Sequence, residues 1–206
     1  MLHRNLVLSG AVASILLLSA CGGDSTDSTS STTGAGGTSS SPTSENADFN
    51  DADVAFVVGM KPHHAQAVEM SDMVLDSDPS PEVEALAEKI KAAQTPEIDE
   101  LEAMIEHFGA EDVSGGAHGG GHGGGDAAGH GGMMTEEDLQ ALDDATGVDA
   151  SRLYLEAMIE HHKGAIEASD KELADGKYAP ALDLAKRIKA DQEAEIAEME
   201  QLLSQL

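Results

Sequence analysis

From Asp51 onward, apolar residues recur at three- and four-residue intervals, the period of a helix with one buried face. Val57, Met60, His64, Ala67 and Ser71 form one stripe. Val83, Leu86, Ile90, Ile98, Leu101 and Ile105 form another, and Leu182, Ala185, Ile188, Ile196, Met199 and Leu203 a third. The stretch Asp76-Ser77-Asp78-Pro79-Ser80-Pro81 stops one helix and starts the next, and Asp175-Gly176-Lys177-Tyr178-Ala179-Pro180 does the same further on. The pattern predicts two helical hairpins, 51–109 and 148–206, and short turns of this kind imply an all-α four-helix bundle. Pro62 and Pro96 fall inside helical text, where each removes a backbone bond, so both helices of the first hairpin are expected to kink.

The two hairpins are copies. With a fixed offset of 98 residues, the spacing of His63 and His161, Met60, His63, His64, Ala67, Glu69, Ser71, Asp72 and Leu75 fall on Met158, His161, His162, Ala165, Glu167, Ser169, Asp170 and Leu173. Leu86, Ala87, Ile90, Lys91, Ala92 and Gln94 fall on Leu184, Ala185, Ile188, Lys189, Ala190 and Gln192, and Glu97, Ile98, Glu100 and Glu102 on Glu195, Ile196, Glu198 and Glu200. Between them, 110–147 holds a Gly-rich tract with His118, His122 and His130, then Met133, Met134 and a short acidic helix from Thr135 to about Thr146. Thr135 and Asp138 form a capping-box start for that helix. The tract has no preceding strand and no Lys-Ser/Thr, which argues against phosphate cradling; its histidines suit metal capture, or a plain linker.

The first twenty residues read as an address. A basic start at His3 and Arg4 precedes an apolar run from Leu6 to Leu18, shorter than the roughly 20 residues a bilayer span takes. Leu18-Ser19-Ala20-Cys21 matches a bacterial lipoprotein box, so 1–20 is expected to be a signal peptide and Cys21 the lipidated first residue of the mature protein. Residues 21–50, rich in Ser, Thr and Gly, then form a disordered tether holding the domain off the membrane, outside the cytoplasm. Cys21 is the sole cysteine of 206 residues, so no thiol remains for a disulfide, catalysis or a thiolate metal site. Aromatic residues are 2 %, which argues against a β-sandwich. With 11 Lys and Arg against 39 Asp and Glu, the formal charge of −28 leaves no basic stripe, and nucleic acid is excluded as a partner.

The chemistry concentrates in Met60-Lys61-Pro62-His63-His64 and its copy Met158-Ile159-Glu160-His161-His162. On a helix, positions i, i+3 and i+4 share a face, so each methionine sulfur lies beside two imidazoles. At least one histidine of each pair faces the interior, and packed hairpins would bring both faces to one site. Met104 and His107 form a partial third copy, and Met70 adds a sulfur further along the first helix. Methionine is common core filler and a lone histidine is commonly a satisfied polar group, but the duplication at one offset favours metal ligation. No residue three before these histidines is Glu, and His-Glu-x-x-His is absent, which argues against di-iron and zinc-protease sites. Thioether with imidazole suits copper, Cu(I) above all, with Cu(II) taken by imidazole-rich sets. Gln94 and Gln192 are candidates to hydrogen-bond a histidine ring and fix its tautomer. The glutamates Glu82, Glu84, Glu88, Glu97, Glu100, Glu102, Glu193, Glu195, Glu198 and Glu200 read as solvated helix faces.

The segments Met60–Met70, Ala93–Ile98 and Met158–Ile166 resemble the family called domain of unknown function 305 over roughly 51–206. The resemblance implies a ferritin-like architecture and, from its extracytoplasmic members, a role in copper binding or resistance. It carries ligands to Met60, His63, His64, Met158, His161 and His162, while Ala168 stands where the second motif often ends in Met. The expectation is a lipid-anchored protein that sequesters copper or passes it to another copper protein, without catalysis. The alternatives are a metal-free envelope interaction module and a ferritin-like oxidase.

Overall fold

A computed structural model describes residues 48–110 and 131–206. Four long helices and one short one make up its regular structure: α1 (Asp51–Leu75), α2 (Pro81–Phe108), α3 (Glu136–Asp143), α4 (Gly147–Asp175) and α5 (Ala179–Leu203). There is no strand among the described residues. The residues read as a signal peptide, Cys21, most of those read as a tether, and His118, His122 and His130 lie outside them. No helix of the described residues is long and apolar enough to cross a membrane.

Local chemistry sets the helix ends. Asn50 opens α1 with a capping box: its side chain accepts from the Ala52 and Asp53 amides, and Asp53 accepts from the Asn50 amide at 2.6 Å. Thr135 and Asp138 open α3 in the same way, as the sequence predicts. Ser80 caps α2, with Pro81 at its first position, where a missing N–H costs nothing. Pro62 and Pro96 sit inside α1 and α2, and each helix runs on past its proline. Phe49 and Asn50, read as the end of the tether, belong to the packed domain; the Phe49 ring lies 4.3 Å from that of Phe108.

The hairpins α1/α2 and α4/α5 meet chiefly where α1 packs on α4. The apolar residues gather in two clusters, one around Met70, Leu86, Tyr154 and Met199, the other around Phe56, Leu101, Leu184 and Ile188. Burying side chains of this size stabilises the fold by about 1.5–3 kcal/mol each before entropy is counted. Tyr154 is fully buried, and its hydroxyl meets Ser71 Oγ at 2.9 Å, while Ser71 donates to the Ala67 carbonyl.

The sequence repeat becomes an approximate two-fold relation, and its contacts are reciprocal. Lys89 of α2 pairs with Glu198 of α5 at 2.7 Å, and Arg187 of α5, its counterpart, pairs with Glu100 of α2 at 2.6 Å. Each first helix also holds the turn of the opposite hairpin. Asp53 accepts from the amides of Lys177 and Tyr178 at 2.9 and 2.8 Å, and Ser151 accepts from the amide of Ser80 at 2.9 Å.

Candidate metal centre

Because α1 and α4 are the two central helices, each has neighbours on more than one side and buries more than one stripe. Met60 and His63 are 2 % exposed, and His64, Met158, His161 and His162 are fully buried. Both histidines of each pair therefore face the interior, where helical period alone assured one.

The four imidazoles have two kinds of environment. His63 and His161 meet across the α1–α4 contact, with ring centroids 3.7 Å apart and planes tilted by 35°. They are equivalent positions of the repeat, so the two-fold relation passes between their rings. His64 and His162 are each tied to a carboxylate on the second helix of their own hairpin. His64 Nε2 lies 2.9 Å from Glu97 Oε2, and His162 Nε2 lies 2.9 Å from Glu195 Oε2. The Nδ1 atoms of His64 and His162 are buried and have no hydrogen-bond partner among the described residues.

Glu97 and Glu195 correct the reading of these glutamates as solvated. The Glu195 side chain is 5 % exposed and that of Glu97 13 %. Gln94 and Gln192, expected to bond the histidine rings, are buried but do not do so. Both polar atoms of Gln94 lack a partner, as does Gln192 Oε1. The carboxylates one turn further along take that place, because a helix that turns its Gln inward also brings the residue three positions later to the same face. The signal was present in the repeat, where Glu97 and Glu195 are one of the identities.

Burial holds the His161 imidazole well below its ordinary pKa, and the neighbouring His63, His162 and His64 push the same way. Burial also lowers His162, against the opposing pull of Glu195. Both rings are therefore neutral near pH 7, and the neutral ring is the form that ligates metals.

Met70, the remaining expected ligand, and the auxiliary candidates occupy different places. Met70 is fully buried among Val74, Val83, Leu86 and other apolar side chains. Met104 is buried in the other cluster. His107 is half-exposed at an end of the domain, stacked 5.3 Å from Tyr178 and 3.7 Å from Asp48 Oδ1. Met133 and Met134 are partly buried. Gln66 fixes Met134 by donating to its carbonyl at 3.0 Å and accepting from its amide at 2.8 Å. This segment crosses α4 one turn from the histidine pair. At Gly132, with φ of 87°, a Cβ would run into the carbonyls of Glu160 and His161, and a Cβ on Gly164 would overlap the Gly131 carbonyl.

Among the described residues no three His, Cys, Asp or Glu side chains converge as a ready-made metal cage. A carboxylate-rich di-iron site is such a cage, and these donors do not form one. What they present instead is a pair of thioethers and four buried imidazoles. That is a donor set for a soft ion.

The chain matches the family described as Domain of unknown function (DUF305) over residues 53–203. No curated protein matches it. Among solved structures it is similar to a DUF305 fragment from Deinococcus radiodurans (29 % identity, TM-score 0.65, covering 76 % of this chain and 98 % of that one). It is also similar to a DUF305 protein from Streptomyces coelicolor (28 % identity, TM-score 0.65, 75 % and 93 %). A third is CopM in its Cu(II)-bound form (27 % identity, TM-score 0.61, 74 % and 96 %), which has also been solved with Cu(I) and with Ag. The match spans both hairpins and both Met-x-x-His-His motifs, and the chain belongs to the DUF305 family.

Proposed function

We propose that this protein binds copper outside the cytoplasm, to sequester it or pass it to another copper protein, and that Met60, His63, His64, Met158, His161 and His162 are its ligands. The observation that carries the reading is the meeting of both histidine pairs in the buried centre of the domain, with His64 and His162 each offering a buried Nδ1 that no group among the described residues satisfies. An unsatisfied buried polar atom is costly, and a cation with affinity for imidazole removes that cost. The likeness to CopM, solved with Cu(II), Cu(I) and Ag, supports the same choice of ion. Cys21 would anchor the mature chain to the membrane by its lipid, and His118, His122, His130, Met133 and Met134 would act as a first collector. Met104 shares an apolar cluster with Met60, His107 is half-exposed beside Asp48, and both would serve only as auxiliary donors.

The test is copper retention. Protein loaded with Cu(I) under reductant should carry copper through a desalting column. The variant with His63, His64, His161 and His162 all changed to Ala should lose it. Retention by that variant would overturn the site, and no retention by the unaltered protein would overturn the function.

A further inference from the structure

The histidine–carboxylate pairs repeat more faithfully than their surroundings. Between the two hairpins Pro62 becomes Glu160, Met70 becomes Ala168 and Pro96 becomes Ala194. Yet His64–Glu97 and His162–Glu195 use the same atoms at the same 2.9 Å separation. Each carboxylate comes from the neighbouring helix of its own hairpin, so the ring is held from outside the His-His turn.

An ionised carboxylate can only accept a hydrogen bond, so the proton of His64 and of His162 lies on Nε2. In a neutral ring the lone pair is then on Nδ1, and in both residues Nδ1 is the buried atom without a partner among the described residues. We infer that Glu97 and Glu195 are positioning residues for the metal: each fixes its histidine as the Nε2–H tautomer, turns Nδ1 toward the site and places one negative charge behind the ring. The inference rests on the copper-binding reading above. A carboxylate behind a ligating imidazole raises its basicity as a donor. It also counters the charge of a cation taken out of water.

Two measurements decide this. In the metal-free full chain at neutral pH, long-range proton–nitrogen NMR correlations should show His64 and His162 as Nε2–H tautomers. Nδ1–H tautomers would overturn the assignment. Next, Cu(I) affinity is measured by chelator competition in E97Q/E195Q and E97A/E195A. The glutamine variant keeps an acceptor for the ring N–H and loses only the charge, so its affinity should fall about 10-fold, and that of the alanine variant up to about 100-fold. Equal affinity in all three proteins would overturn the role of the carboxylates while leaving copper binding standing. A wild-type protein that binds no copper would instead overturn the reading on which this rests.

Discussion

The carboxyl groups of Glu172 and Asp53 face one another at one end of the domain, and both residues are buried. At the repeat-related positions stand Val74 and Ser151, an apolar group and a hydroxyl. The two-fold relation between the hairpins is broken here by acid chemistry. Burial alone would raise Asp53, but the backbone amides of Tyr178, Lys177 and Asn50 hold it below its ordinary pKa. Glu172 takes the other course: burial, then the neighbouring Asp53, pushes it up to about 8.

The unfolded chain releases the Glu172 proton near 4.5, whereas the folded chain keeps it to about 8. The stability it contributes is complete below the lower value and is lost as pH rises through the upper one. Wild-type protein should therefore lose stability between pH 5 and 8, by on the order of 2 kcal/mol from this group. Glu172→Gln, neutral at every pH, should flatten that slope and melt higher than wild type at pH 8. Parallel melting curves for the two proteins across this range would contradict it. Asp53 contributes with the opposite sign, below its ordinary 3.8 and outside this window.

Gly164 is where the segment from Gly131 to Met134 crosses α4. Gly164→Ala puts a methyl group into the Gly131 backbone, which has no flexible side chain to move aside. The expected cost is about 1–3 kcal/mol. The Met134 amide, now held by Gln66, should exchange with solvent much faster than in wild type. An unchanged Tm with unchanged exchange would show that the crossing is looser than described.

The methionines divide by role. Met70→Leu conserves volume within an apolar cluster, so it should cost under about 1.5 kcal/mol and leave copper retention intact. Met60→Leu combined with Met158→Leu conserves volume equally well but removes both thioethers beside the histidines. Chelator competition should show weakened Cu(I) binding with little change in Cu(II) binding. Equal loss from Met70→Leu would move Met70 into the ligand set.

Lys89–Glu198 and Arg187–Glu100 bridge the hairpins, yet all four side chains are about half-exposed. Water and salt weaken such pairs. Lys89→Ala with Arg187→Ala should cost under about 2 kcal/mol together, and less in high salt. A larger, salt-insensitive loss would mean that the bridges organise more than their own charges.

Fold and repeat were legible because they rest on local, periodic signals. The turns at 76–81 and 175–180 separate helices where the punctuation of Asp, Gly and Pro says they should. The site was legible as far as residue type and duplication go. The partners of its histidines were not, because a glutamate reads the same in sequence whether it meets water or a ring on the next helix. Glu195 differs from its exposed neighbour Glu193 only in which way α5 faces, and that is decided by packing. Glu172 was missed for the same reason: its repeat partner Val74 marks the position as interior, but only the meeting with Asp53 explains a carboxyl there.

The exchange of turn contacts, Asp53 to the amides of Lys177 and Tyr178 and Ser151 to that of Ser80, has the form of an isologous dimer interface, in which each partner gives what it receives. A half-length chain carrying one Met-x-x-His-His motif would leave its turn amides and one face of its first helix uncovered, and a second copy of itself would supply both. The fused chain is thus a dimer whose partners are always at hand. Its central histidines meet at any dilution, down to the single molecule.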